Sequence, residues 1–118
     1  MYRYMARRDP NTRNALLPGI LDMLVLRTLT LGPLHGYGIA RHIEQTSGDR
    51  LRIEEGSLYP ALQRLQLQGW VTSTWETSST SRRARVYQLT SAGRRQLEQE
   101  TSAYDQMVAA VAAVMQTG

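Results

Sequence analysis

A chain of 118 residues has room for one modest hydrophobic core, and 42% apolar with 20% charged residues is the balance of an ordinary folded domain. The absence of cysteine excludes disulfide scaffolds, zinc–thiolate sites and cysteine nucleophiles, and two histidines, His35 and His42, are too few for a histidine-rich metal centre. The net charge of +4 is unevenly placed: residues 1–13 carry +3, residues 14–81 carry −1, residues 82–95 carry +5, and residues 96–118 carry −3. Every cation is arginine. Two basic segments bracketing a near-neutral middle point to a polyanionic partner, nucleic acid first; a solvated basic loop is the plainer reading. No apolar run reaches the roughly 18 residues needed to cross a bilayer. The opening MYRYMARRDP lacks the apolar stretch of a secretory signal. The expectation is a cytoplasmic protein with no membrane partner.

In chain order, residues 1–15 show no apolar period and read as a flexible basic arm. Pro18-Gly19 opens and Gly32-Pro33 closes a segment apolar on nearly every face (Ile20, Leu21, Met23, Leu24, Val25, Leu26, Leu29, Leu31), which predicts a buried helix of about three turns. A second helix is expected from Gly36 to Ser47, with Ile39 and Ile43 on one face and Gly48 at its C-terminal stop. Residues 54–70, EEGSLYPALQRLQLQGW, read as a third helix with Leu58, Leu62 and Leu65 inward and Pro60 in or near the first turn. WVTSTW (70–75) and RVYQLT (85–90) read as two strands of a hairpin, and the polar stretch between them as its flexible tip. Trp70 and Trp75 are expected in the core and at the root of the hairpin.

Thr90 or Ser91 can cap a last helix reaching about Gln116. Along it Leu97, Thr101, Tyr104, Val108, Val111 and Met115 recur at spacings of four and three, a heptad-like seam. The preceding body is too small to cover such a helix, and MVAAVAAVM (107–115) has no polar residue. A stripe there is left for a second copy.

Three helices, a hairpin with a basic tip and a further helix is the order of a winged helix-turn-helix domain, mainly α with a small β-hairpin. In that fold the third helix can enter the major groove. Arg82, Arg83 and Arg85 on the hairpin can neutralise phosphates. The same order also serves protein-interaction modules, in which the basic wing docks an acidic partner. Catalysis is poorly supported. His35 and His42 lie seven apart with no nucleophile at a fixed spacing, Glu54 and Glu55 point different ways on a helix, and no glycine-rich phosphate loop follows a strand. No enzyme, metal or cofactor is expected.

Three stretches carry a family resemblance: LGPLHGYGIARHIEQ (31–45), EEGSLYPALQRLQLQGW (54–70) and RRARVYQLTSAGRRQLEQE (82–100). Together they resemble the PadR family of bacterial transcriptional regulators, over about residues 16–116; the single helix after the wing is similar to its compact subfamily. The arm at 1–15 is not explained by it. The resemblance implies a homodimeric repressor on an inverted-repeat operator, released by a small-molecule effector. The chain is expected to divide into the arm (1–15), a winged helix-turn-helix DNA-binding domain (16–90) and a dimerisation helix (91–118).

Carried over, DNA contacts fall on Glu55, Ser57, Tyr59, Gln63 and Arg64, on Arg82, Arg83 and Arg85 of the wing, and on Tyr37 as a phosphate contact. Each has a plainer counterpart. Ser57 can cap the helix, Arg64 can pair with an acid, Tyr59 can pack its ring on the domain, and Glu55 can cap the helix or read a cytosine amino group. The dimer seam is Leu97, Tyr104, Val108, Val111 and Met115. Drug-sensing regulators similar to this chain stack flat ligands on an aromatic residue of the last helix. Tyr104, with Met107, Val108 and Val111, is therefore either a site for a planar aromatic effector or simply filling of the dimer core.

Overall fold

The computed structural model describes residues 18–77, 80 and 82–117. The basic arm expected over residues 1–15 lies outside them. Helix α1 (Pro18–Thr28) runs into a single 3-10 turn (Leu29–Leu31). There follow β1 (Leu34–His35), α2 (Gly36–Thr46), α3 (Glu55–Leu67), β2 (Val71–Thr77), β3 (Arg83–Leu89) and α4 (Ser91–Met115).

One core joins these elements: Leu21, Val25, Leu26 and Leu29; Ile39 and Ile43; Leu58, Ala61, Leu62 and Leu65; Val71 and Tyr87; and Leu97, with Leu34 of β1 packed against it. The expectation that the first helix is buried on nearly every face needs correcting. Ile20 and Met23 are only half-buried, and Leu31 is exposed. Helix α1 packs on α2, α3 and the base of α4, and leaves Ile20 and Met23 beside an open groove between α1 and α4. The Thr28 hydroxyl donates to the Leu24 carbonyl at 2.8 Å, satisfying a buried polar side chain as the helix tightens into its 3-10 turn.

The connection from α2 to α3 is held by side chains. The Ile53 N–H donates to Oε2 of Glu44 at 3.0 Å, and the Leu51 N–H to Oγ of Ser47 at 3.1 Å. Gly48 follows the α2 cap with φ 64°. Helix α3 buries Leu58, Ala61, Leu62 and Leu65. Pro60 lies in its second turn, not the first, because the cap is Glu54. The missing proline N–H leaves the Gly56 carbonyl without a helical partner. Both residues are on the exposed side, where water can serve instead. At Gly69, φ is 79°, a backbone that side chains disfavour; it lets the N–H groups of Gly69 and Trp70 close the helix onto the carbonyls of Gln66 and Leu65 at 2.9 and 3.0 Å.

The expected hairpin is present, with Trp75 opposite Arg85 and Thr77 opposite Arg83. It belongs to a three-stranded antiparallel sheet of order β1-β3-β2. The strand missed in the sequence, β1, pairs Leu34 with Tyr87 and His35 with Val86. Two residues are too short to show a period of two. Helix α4 is capped by the Thr90 hydroxyl, which accepts from the Gly93 N–H at 3.0 Å and donates to the Gly69 carbonyl at 2.8 Å. A second correction concerns the seam: Leu97 is buried in the protein's own core. From residue 101 to residue 117 every side chain is exposed. A helix of 25 residues is about 37 Å long, and α4 accounts for much of the 59 Å long axis.

Candidate nucleic-acid interface

The buried stripe of α3 fixes what its other residues can reach. Gln63 is exposed on the outer side with Gly56, Pro60 and Leu67. Tyr59 and Arg64 leave the helix on opposite flanks. Tyr59 leans toward α2 and the wing, and its hydroxyl lies 2.7 Å from where a Cβ would stand on Gly36. Arg64 leans toward α1, where Nη2 donates to Oδ1 of Asp22 at 2.9 Å. Glu55 is exposed in the first turn, where its carboxylate suits the positive end of the helix dipole. Ser57 is exposed in the same turn and does not cap the helix; its N–H bonds to the carbonyl of the cap residue, Glu54, at 3.0 Å.

The wing supplies the cations. Arg82, Arg83 and Arg85 are all exposed. The expectation for Trp70 holds, since it is half-buried against the core. That for Trp75 does not: its side chain is 54% exposed and lies on the wing itself. Residues paired across the hairpin share a face, so Trp75 lies beside Arg85, with Arg83 two residues along. The guanidinium carbons of Arg83 and Arg85 sit 4.9 and 5.2 Å from the Trp75 ring centre. The Arg85 Nε–H also donates to Oγ of Ser73 at 3.2 Å. Sequence reasoning missed Trp75 as part of the site. Counting the register back from the tip would have placed it opposite the arginines.

These flanks converge. Tyr37 and Tyr59 from the helices, and Trp75, Arg83 and Arg85 from the wing, line one concavity of about 520 Å3. Tyr37 stands in the first turn of α2 and is 73% exposed. Tyr87 lies in the same concavity. Burial pushes its hydroxyl pKa above the ordinary tyrosine value, with the nearby Arg85 charge pulling the other way. The site thus offers aromatic faces, hydroxyl donors and two fixed cations, with no carboxylate among its lining residues. Gln63 and Arg64 do not line it; they mark the outer and α1 sides of the same helix.

A second groove, of about 580 Å3, lies between α1 and α4, where Ile20 and Met23 face Ala103, Tyr104 and Met107. Of the four expected effector residues it includes Tyr104 and Met107, while Val108 and Val111 lie farther along the exposed helix. Among the described residues no cluster of side chains could hold a metal ion, and no helix is long and apolar enough to cross a membrane.

Residues 25–99 match the transcriptional regulator PadR-like family. A PadR family transcriptional regulator from Eggerthella lenta shares the fold with a TM-score of 0.75 and 28% identity, over 85% of each chain. A transcriptional regulator from Clostridium thermocellum has a TM-score of 0.75 and 25% identity, covering 80% of this chain and 92% of its own. An uncharacterized 37.1 kDa protein from a transposon of Streptomyces fradiae is 49% identical over 79 residues; that match takes in 67% of this chain, which spans only 21% of that relative. With the family match covering well over half its length and the winged helix on which the relatives are built, the chain belongs to the PadR-like family of transcriptional regulators, whose members are not enzymes.

Proposed function

We propose that the protein is a cytoplasmic, sequence-specific repressor that binds an inverted-repeat DNA operator as a homodimer and is released by a small molecule. The observation that carries the DNA reading is the concavity in which exposed Tyr37 and Tyr59 meet Arg83 and Arg85. Phosphate contacts fall to the wing arginines, with Arg82 beside them, and to Tyr37; base reading falls to α3, at Gln63 on its outer side and Arg64 on its α1 side, with Glu55, Ser57 and Tyr59 on the same helix. The expected charge asymmetry fits, since the cations cluster where the helix and the wing converge.

Dimerisation is supported by the bare half of α4. Tyr104, Val108, Val111 and Met115 lie within one narrow arc of the helix and are 38%, 44%, 54% and 76% exposed. That arc continues the one that buries Gly93 and Leu97. A two-fold partner that covers it would also face the uncovered side of α1. An effector seated beside Tyr104 and Met107 would lie where the two subunits meet and could change the spacing of the two α3 helices.

Selection of duplexes from a random pool tests the proposal. The expected product is an inverted repeat with half-sites about one helical turn, or 34 Å, apart. Retention of an acidic protein with no preferred duplex would favour the protein-interaction module instead. For the effector, planar aromatic compounds are screened by intrinsic fluorescence and again on Tyr104→Ala. Unchanged affinity in the variant would move the pocket elsewhere.

A further inference from the structure

We infer that Trp75 is a positioning residue of the wing, a flat indole platform that holds Arg83 and Arg85 in the orientation in which they meet the DNA backbone. The inference rests on the DNA-binding reading above and deepens it.

Trp75 has no place in the core. Its side chain is 54% exposed, and the core on the sheet side is made by Val71 and Tyr87. What it does contact is the pair of cations. Arg85 is its direct partner across the hairpin, and Arg83 shares that face two residues toward the tip. Both guanidinium carbons lie within 5.2 Å of the ring centre, at 4.9 and 5.2 Å. Cations at that distance are attracted by the ring quadrupole. One ring facing two guanidinium groups therefore restrains two long side chains at once. Ser73 adds a second restraint by accepting from Nε of Arg85 at 3.2 Å, a bond that does not use the terminal Nη groups of that arginine.

The consequence is for binding, not for folding. An unrestrained arginine on a wing surrenders much rotamer freedom when it docks on a phosphate. Arginines already stacked on an indole surrender less. They also keep their planar forks aimed into the concavity shared with Tyr37 and Tyr59. Removing the indole leaves both charges on the protein. The number of counterions displaced from DNA is then unchanged, while the affinity falls.

The test compares Trp75→Leu, Trp75→Phe and the double variant Arg83→Ala/Arg85→Ala in the full chain. Binding to a fluorescein-labelled selected duplex and to an unselected one is followed by anisotropy across a salt series. Trp75→Thr, which suits a strand, accompanies the leucine variant as a second protein without a ring. Thermal melts of all variants are expected to stay close to the parent, because the indole is half-exposed. The expected result is a loss of about tenfold in affinity for both duplexes in the leucine and threonine variants. Their slope of log affinity against log salt stays at the parent value, and Trp75→Phe recovers most of the loss. Parent-like affinity without the ring would overturn the inference, as would an equal loss with leucine and phenylalanine. If the double arginine variant also leaves affinity and slope unchanged, the wing does not touch DNA and the underlying reading itself fails.

Discussion

Nη2 of Arg64 on α3 donates to Oδ1 of Asp22 on α1 at 2.9 Å, a closer ion pair than Arg41 and Glu44 make within α2 at 3.9 Å. It ties the helix proposed to enter the major groove to the helix that forms one wall of the α1–α4 groove. Whatever shifts α1 therefore shifts the anchor of the side chain proposed to read bases.

The first prediction follows from that tie. The arginine is 48% exposed, so the pair contributes less than about 1 kcal/mol to stability, and Asp22→Ala, which removes the acceptor, should leave the melting temperature almost unchanged. Freed of its anchor, Arg64 can take up other directions, and the variant should select a site with relaxed preference at one position in each half. Selection from a random duplex pool checks this, with Arg64→Ala as the reference. Identical sites from parent and variant would mean that Arg64 does not read bases.

A second prediction concerns assembly. Val108→Asp with Val111→Asp places two carboxylates on the bare arc of α4, where both parent valines are about half-exposed. A lone subunit tolerates charge there, so its fold should survive. In a dimer the charges would be buried without partners. Sedimentation should show a monomer, and affinity for an inverted repeat should fall by at least about 100-fold because the half-sites are no longer engaged together. A monomeric parent protein would contradict the dimer.

Two glycines separate stability from binding. A Cβ on Gly93 would run into the backbone carbonyl of Trp70 and come within 2.7 Å of the Leu89 side chain, neither of which can move freely. Gly93→Ala should cost about 3 kcal/mol, read by denaturant unfolding. A Cβ on Gly36 meets only the far end of the Tyr59 ring. Gly36→Ala should shift that ring, costing little stability but several-fold in DNA affinity. The reverse ranking would mean that Tyr59 packs the fold and does not contact DNA.

Alkaline stability gives a fourth test. Burial raises the Tyr87 pKa above the ordinary value of 10.0. The neutral hydroxyl is thus the favoured folded form, and its contribution is complete below that pH and lost as pH rises through the folded-state value. Tyr87→Phe, which has nothing to ionise there, should flatten the alkaline limb of a stability-against-pH curve. An unaltered limb would assign it to other groups.

Much of the fold was legible because its signals are local. The leucine spacing of α3, the Gly48 stop and the Thr90 cap each follow from a few adjacent residues, and all stand in the structure. What escaped depends on tertiary placement. β1 exists only because β3 lies beside it. Leu97 belongs to the heptad pattern, yet the body of the protein reaches that far along α4 and takes it into the core. Asp22 and Arg64 are 42 residues apart, and no spacing rule pairs them. Trp75 escapes because tryptophan usually packs in a core; only the hairpin register reveals its arginine neighbours.

The most direct measurement is the salt dependence of binding to a selected duplex, for the parent protein and for Arg82→Ala/Arg83→Ala. If three wing arginines of each subunit meet phosphates, log affinity should fall against log salt with a slope of roughly −5 for a dimer. Removing two arginines per subunit should bring the slope to roughly −2, with a similar loss on every sequence. A flat line for the parent protein, or the same slope with and without these arginines, would contradict the account.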